Sequence, residues 1–356
     1  MELLEFLRQN EDWEQLLAAE PYNLEIRHDG PYTLFKYNQF LSDFNLKLVR
    51  EARGSIFTKI NDVWDCVCYP FEKFGNWGEP YAATPYMDWK SAQFQQKIDG
   101  SLIKMWFKGG DWHISTNGTI DAFKCDCGDF TFGDLVLEAT RSLPFFWSQL
   151  RPWYTYMFEL TSPQNQLVCQ YGDKPQLWYL GCRNMVNFQE EPPHLHIEGL
   201  QFPHVFNFNS LDECIAAAHL LGSNEEGWVC VDSNYNRIKI KGDEYLRLSR
   251  IRENGPLTFK RVVELWQSDS LDDYMAYFPN SKDLIINYVA QIRHLIDSME
   301  QDYISIPIGL ERKEFAAYAS KSKYATYLFA RLDNKVNSAA DYLHSVSVKK
   351  VEEWCS

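Results

Sequence analysis

Apolar and polar positions divide the chain into two regimes. Up to about Lys241 the apolar residues fall in short runs, rich in aromatic and β-branched side chains and bounded by Gly, Pro, Asn and Asp, at 32–37, 94–107, 154–160, 167–171, 177–182, 228–231 and 237–241. That pattern predicts strands. Ser210-Leu-Asp-Glu213 interrupts them as a capping box, predicting a helix that runs to Leu221. Beyond residue 250 the period changes. Leu284, Ile285, Tyr288, Val289, Ile292, Leu295, Ile296 and Met299 recur at helical spacing behind Ser281 as a cap, and 315–332 and 336–346 also predict helices. The expectation is an α+β domain over 1–250 followed by a smaller all-helical domain over 251–356.

Composition narrows the class. At 356 residues, 45% hydrophobic and 24% charged, the chain has material for a packed core and is not disordered. It holds no apolar run long enough for a membrane-spanning helix, and its first twenty residues have no basic start before an apolar stretch, so neither a membrane span nor a signal peptide is expected. Nine cysteines, an odd count, favour free thiols in a reducing compartment, so a cytoplasmic monomer is expected. The formal charge of −14 argues against sequence-independent grip on long nucleic acid. Residues 301–356 hold eight Lys/Arg against seven Asp/Glu, so the acidity lies upstream and any nucleic-acid contact is expected in a basic cleft or toward the C-terminal part.

Candidate chemistry begins at Lys97-Ile-Asp99-Gly100-Ser101. A bland reading makes this an Asp-Gly hairpin turn beside a solvated lysine. The alternative is a nucleophilic lysine that attacks a nucleoside triphosphate and carries the nucleotide as a phosphoramidate; such chemistry needs cations about the amine and metal to screen phosphates. Partners follow in order. They are Ser115-Thr-Asn-Gly118 on a strand-to-turn signal, Phe158-Glu159-Leu at a strand end, the apolar run Leu177-Trp-Tyr-Leu-Gly181, Glu226 opening a strand, and Lys239-Ile-Lys241 with both lysines on one strand face. Upstream, Glu51-Ala-Arg53-Gly54 and Phe71-Glu-Lys73-Phe74 add cations.

This ordered set resembles the covalent nucleotidyltransferases, and within them the RNA ligase 1 family of T-even phage type. The closer likeness rests on the Glu-x-Arg-Gly and Phe-Glu-Lys-Phe elements, the strand at Phe158–Leu160 with Tyr171 closing its partner, Lys-x-Lys followed by Tyr245, and the helix at Arg312-Lys-Glu-Phe-Ala316. The resemblance implies an adenylation domain built on antiparallel sheets, with the helical domain selecting the RNA. It implies an ATP-dependent RNA ligase using Mg2+ or Mn2+, joining 5′-phosphate to 3′-hydroxyl ends, with nicked tRNA among the candidate substrates. By the same resemblance Lys97 is the adenylated nucleophile and Asp99 positions it. Glu159 serves the ribose, Glu226 holds the metal, Lys239 and Lys241 face the α-phosphate and leaving pyrophosphate, and Arg53, Lys73 and Tyr37 line the triphosphate pocket. Asn117 departs from the family pattern, which has a basic residue there.

Two rival readings are weighed. DNA ligases and capping enzymes place a β-barrel after the Lys-x-Lys strand, whereas here the pattern turns helical. A non-catalytic nucleotide- or RNA-binding protein predicts an eroded lysine or carboxylate set, and the set is complete. Cys66-Val-Cys68 and Cys125-Asp-Cys127 are spaced too tightly for an ordinary zinc site and read as strand thiols on one face. His194-Leu-His196 reads as a loop pair.

Overall fold

The structure, a computed structural model, describes residues 1–246, 257–277 and 281–355 apart from 40, 128, 167, 209 and 223. The chain forms two compact units, one of Met1–Ile26 with Pro31–Gly255 and one of Arg27–Gly30 with Pro256–Ser356. The boundary expected at residue 250 falls within 247–256, outside the described residues.

Alternating and apolar runs supply the strands β1 (Leu24–Asp29), β2 (Tyr32–Tyr37), β3 (Arg53–Ile60), β4 (Val63–Cys68), β5 (Gln93–Gln96), β6 (Ser101–Lys108), β7 (Asp111–Thr116), β8 (Asp126–Cys127), β9 (Phe130–Thr131), β10 (Tyr154–Thr161), β11 (Gln176–Asn184), β12 (Glu190–Glu191), β13 (Val205–Phe206), β14 (Gly227–Val231) and β15 (Arg237–Lys241). They build three main sheets, ordered β1-β2-β3-β4, β12-β11-β10-β6-β7 and β13-β5-β14-β15, with β8-β9 as a small ladder. The ladders from β10 to β11 and β6, and from β14 to β15 and β5, are antiparallel. Helices α1 (Glu2–Gln9), α2 (Trp13–Ala18), α3 (Lys47–Glu51), α4 (Phe132–Arg141), α5 (Phe146–Gln149) and α6 (Leu211–His219) cover sheet faces. One core joins Leu135, Val136 and Ala139 of α4 to Ile103, Met105, Tyr156 and Phe158, and another sets α6 beneath Trp228, Cys230, Ile238 and Ile240. Because Ile238 and Ile240 fill that core, residues 237, 239 and 241 share the opposite face.

From Phe259 onward the elements are helical: α7 (Phe259–Gln267), α8 (Leu271–Tyr277), α9 (Lys282–Ile304), α10 (Arg312–Ala319), α11 (Ala325–Leu332), α12 (Ala339–Ser345) and α13 (Val348–Cys355). Ile285, Val289, Ile292, Leu295 and Met299 form the buried stripe of α9, each three or four residues from the last, as amphipathic packing requires. Lys323 Nζ donates to the carbonyl of Trp354 at 3.2 Å, while Trp354 Nε1 donates to the carbonyl of Lys323 at 3.1 Å. Among the described residues no helix is long and apolar enough to cross a membrane.

The fold class is α+β with antiparallel sheets and a helical C-terminal region, and several element readings need correction. The run at 94–107 is two strands in different sheets, because the chain crosses from β5 to β6 at Lys97–Gly100. Leu167 lies outside the described residues and 168–171 form no strand; the partner of β10 is β11, and Tyr171 sits in the preceding loop. The helix expected over 315–332 is two helices, separated by the turn at 320–324. Helix α12 starts at Ala339, behind Ser338, whose side chain accepts from the Asp341 amide. Cys66 and Cys68 do not share a face. A register shift where β3 meets β4 pairs Phe57 with Cys66 and Ile56 with Cys68, sending the thiols into different cores. All nine cysteines are free.

Candidate active site

The crossing from β5 to β6 places the nucleophile candidate. The Lys97 amide donates to the carbonyl of Gly227 at 2.8 Å, so Lys97 prolongs β5 beside β14. Gly100 then passes so close to β10 that an added Cβ would stand 2.4 Å from the Leu160 carbonyl oxygen. The glycine is therefore required for approach to the Glu159 strand, which replaces the hairpin-turn reading of Asp-Gly. Gly227 plays the matching part on the other side. Its φ is +139° and a Cβ would meet the Ile240 carbonyl oxygen at 2.1 Å, so only glycine lets β14 close on β15 at this point.

These approaches converge on Glu226, which is 2% exposed. Its Oε2 accepts from Lys97 Nζ at 2.7 Å and its Oε1 lies 3.0 Å from Lys241 Nζ. Lys97 keeps 19% of its side chain exposed, so it is not sealed from solvent as Glu226 is. Glu159 faces the same cluster. Burial, with Glu226 and Asp99 close by, pushes its carboxyl up to about 7 against the opposing pull of Lys97 and Arg53.

Asp99 works at one remove. Its Oδ2 accepts from the amides of Val168 and Cys169 at 2.8 and 2.9 Å, and its Oδ1 accepts from Tyr245 Oη at 2.9 Å. Its own amide donates to Tyr171 Oη at 2.8 Å. Burial raises its pKa, with the Glu226 charge adding to the rise and the two loop amides opposing it. Asp99 thus fixes the loop and Tyr245, over whose ring the Lys241 ammonium lies at 5.3 Å.

The segment 71–77 carries the upstream cations. Phe74 underlies both Lys239 Nζ and the Arg53 guanidinium, each 5.3 Å from its ring centroid. Lys73 is buried against Tyr37 and Phe44, at 5.1 Å from each ring, with Tyr81 at 6.0 Å. Backbone bonds from Trp77 to the Lys239 carbonyl and from Lys239 to the Gly75 carbonyl lash this segment to β15. Arg53 Nη1 and Asn117 Oδ1 are buried without a hydrogen-bond partner. Glu51 of the same sequence element is structural, accepting from the Glu2 and Leu3 amides at the start of α1.

The structure therefore gathers Lys97, Asp99 and Lys241 about Glu226, with Glu159 facing the same cluster and Lys239, on the strand face of Lys241, joined to Arg53 through Phe74. Tyr37 stands behind Lys73 as part of its cage. Phe74, Tyr171 and Tyr245 stand in the sequence beside residues with assigned roles, which is the signal the chain gives for them. Lys104 was missed. It is fully buried and its Nζ donates to the Gly54 carbonyl; a lysine amid the apolar residues of β6 was its signature.

Comparison with known proteins places this geometry in a family. Residues 51–245 match the family model described as RNA ligase, of the T4 RNA ligase 1 type, and the chain belongs to that family. It is 32% identical over 293 residues to a protein of Autographa californica nuclear polyhedrosis virus that carries the name of a bifunctional polynucleotide kinase/RNA ligase. That match takes in 76% of this chain and 41% of the viral protein, so the chain spans about two-fifths of that relative's length. It is 26% identical over 386 residues to an RNA ligase of Rhodothermus phage RM378, covering 86% of each. An archaeal ATP-dependent RNA ligase of solved structure overlays at a TM-score of 0.46 and 13% identity, covering 90% of this chain and 78% of that one.

Proposed function

We propose that the protein is an ATP-dependent RNA ligase that works through a covalent lysyl-AMP. The observation that carries this reading is the pairing of Glu226 with two lysines, one on each oxygen. It holds a reactive amine and a second cation at one carboxylate, with Lys239 on the same strand face as that second cation.

Attack by Lys97 requires a proton to leave Nζ, and the Glu226 carboxylate at 2.7 Å is placed to receive it. The Nζ–P bond forms at the α-phosphorus of ATP as the bond to the leaving pyrophosphate oxygen breaks. Lys239 and Lys241 supply positive charge where that oxygen gains negative charge. Arg53 and Lys73 receive the outer phosphates, with Tyr37 and its neighbours fixing the Lys73 ammonium, and Glu159 takes the ribose. Asp99, two residues along the chain, anchors the backbone that carries Lys97, and through Tyr245 it also fixes the surroundings of Lys241. AMP then passes to a 5′-phosphate RNA end as the N–P bond breaks, and a 3′-hydroxyl displaces AMP to close the phosphodiester. The Glu226 carboxylate is a hard oxygen donor, of the kind that would hold Mg2+ or Mn2+ shared with substrate phosphates; such an ion would screen the triphosphate charge. The helical C-terminal unit selects among RNAs, with nicked tRNA as a candidate.

The test is intact-mass analysis of protein first stripped of AMP. Incubation with ATP and magnesium should add one AMP, and Lys97→Ala should add none. An unchanged wild-type mass defeats the reading.

A further inference from the structure

Apart from the Lys97 cluster, three charged side chains of the first unit are buried together. Arg183 on β11 and Glu190 on β12 each expose 7% of their side chains, and Arg237 on β15 exposes 10%. Glu190 Oε1 accepts from Arg183 Nη2 at 3.0 Å and from Arg237 Nη1 at 2.9 Å, while its Oε2 lies 2.7 Å from Arg237 Nη2. Arg237 therefore holds the carboxylate with both prongs of its fork, a geometry that fixes orientation as well as distance. Both guanidinium groups also lie on rings, Arg183 at 4.0 Å over Tyr69 and Arg237 at 4.2 Å over Phe71.

The bridge joins the parts of the site to one another. Arg237 opens the row continued by Lys239 and Lys241, in the sheet whose strand β5 leads into Lys97. Glu190 and Arg183 belong to the sheet that carries Glu159 on β10. Tyr69 and Phe71 start the segment that presents Lys73 and Phe74. A buried carboxylate held by two cations across these parts resists both sliding and rotation, since moving either guanidinium strands a charge out of water.

We propose that the Arg183–Glu190–Arg237 bridge is a positioning device that sets the sheet bearing Lys97, Glu226, Lys239 and Lys241 against the Glu159 strand and the Lys73 segment. It thereby governs how well the attacking amine is aligned on the bound nucleotide, rather than how tightly the nucleotide binds. The inference rests on the lysyl-AMP reading above. None of the three residues touches the reacting atoms in this scheme; they act through the lysines.

Single-turnover labelling of Lys97 by α-labelled ATP in the full chain separates rate constant, amplitude and half-saturating ATP. The comparison is wild type, Glu190→Gln, which removes the charge that both arginines share, and Arg237→Lys, which keeps charge but loses the fork. Both variants should lower the saturating rate constant by about 10- to 100-fold, the scale of a small misalignment at a reacting centre, with half-saturating ATP unchanged within about twofold and full amplitude. A normal rate constant in Glu190→Gln, or in Arg237→Lys should Glu190→Gln not fold, overturns the proposal. So does a loss confined to amplitude, which marks a folding role. A raised half-saturating ATP in Arg237→Lys alone also overturns it, because Arg237 then touches the nucleotide. If the wild type takes no label, the lysyl-AMP reading itself fails and this inference falls with it; label on the wild type with equal rates in the variants sinks the positioning role alone.

Discussion

Glu226 and Glu159 stand beside the same lysine in different surroundings. Glu226 has an ammonium on each oxygen, whereas Glu159 is held up to about 7 chiefly by lost solvation. A raised carboxyl pKa means that the folded protein binds this proton more tightly than the unfolded chain. Between the ordinary glutamate value of 4.5 and about 7, Glu159 therefore makes stability fall as pH rises, and above that window its full cost is present. Glu159→Gln removes the cost. Thermal melts without nucleotide should show the variant more stable than wild type at pH 8, with the gain shrinking to nothing below pH 4.5. A gain that is independent of pH, or a loss at pH 8, contradicts the assigned environment. The same variant should be poor at adenylation if Glu159 serves the ribose, so stability and activity move in opposite directions.

At the scale of elements, the β14–β15 hairpin shows how backbone shape decides side-chain chemistry. Gly227→Ala adds a Cβ against the Ile240 carbonyl and strains a φ of +139°. It should pry the start of β14 from the end of β15, withdraw Glu226 from Lys241, and cut Lys97 labelling by about 100-fold or more while costing roughly 2–4 kcal/mol in denaturant melts. Labelling near the wild-type rate would show that the close approach is not needed. The strands at 32–37 and 237–241 were legible with their bounds, because their alternation and bounding turn residues are local signals. The cation row was legible for the same reason, from Lys-Ile-Lys alone. The break inside 94–107 was not, since Gln93–Gln96 and Ser101–Lys108 differ in sheet membership rather than in composition. Of β3 and β4 only the strand at Cys66–Cys68 was legible, and not the extent or pairing of either. The bulge that parts Cys66 from Cys68 is invisible to an i, i+2 count. The links from Asp99 to Tyr171 and Tyr245 span 72 and 146 residues, and no local pattern announces such pairs.

At the scale of the whole molecule, the proposed selection of RNA by the C-terminal unit can be tested on two of its lysines. The C-terminal unit holds Lys321 and Lys323, both exposed in its most basic stretch, but Lys323 is tied to the Trp354 carbonyl at the end of α13. The two lysines should therefore separate experimentally. Lys321→Ala should leave the melting temperature unchanged and weaken preference for a nicked anticodon stem-loop over a plain oligonucleotide, whereas Lys323→Ala should also loosen α13, seen as faster amide exchange over Val348–Cys355. Wild-type preference ratios in Lys321→Ala would remove that lysine from RNA selection. Because the body is acidic, ligation of long RNA should depend on salt less steeply than for a protein with many phosphate contacts.

The alternation along β15 has a consequence for how such a chain can diverge. Arg237, Lys239 and Lys241 share one face and Ile238 and Ile240 fill the core behind it. A point change alters one member of either set, but inserting or deleting a single residue within the strand inverts the whole pattern, burying the cations and exposing the isoleucines. Lineages can therefore rewrite most letters around this strand and still work, while its length is frozen. In a library of one-residue insertions, 237–241 should be a gap among survivors even where individual substitutions at Ile238 or Ile240 to other apolar residues pass.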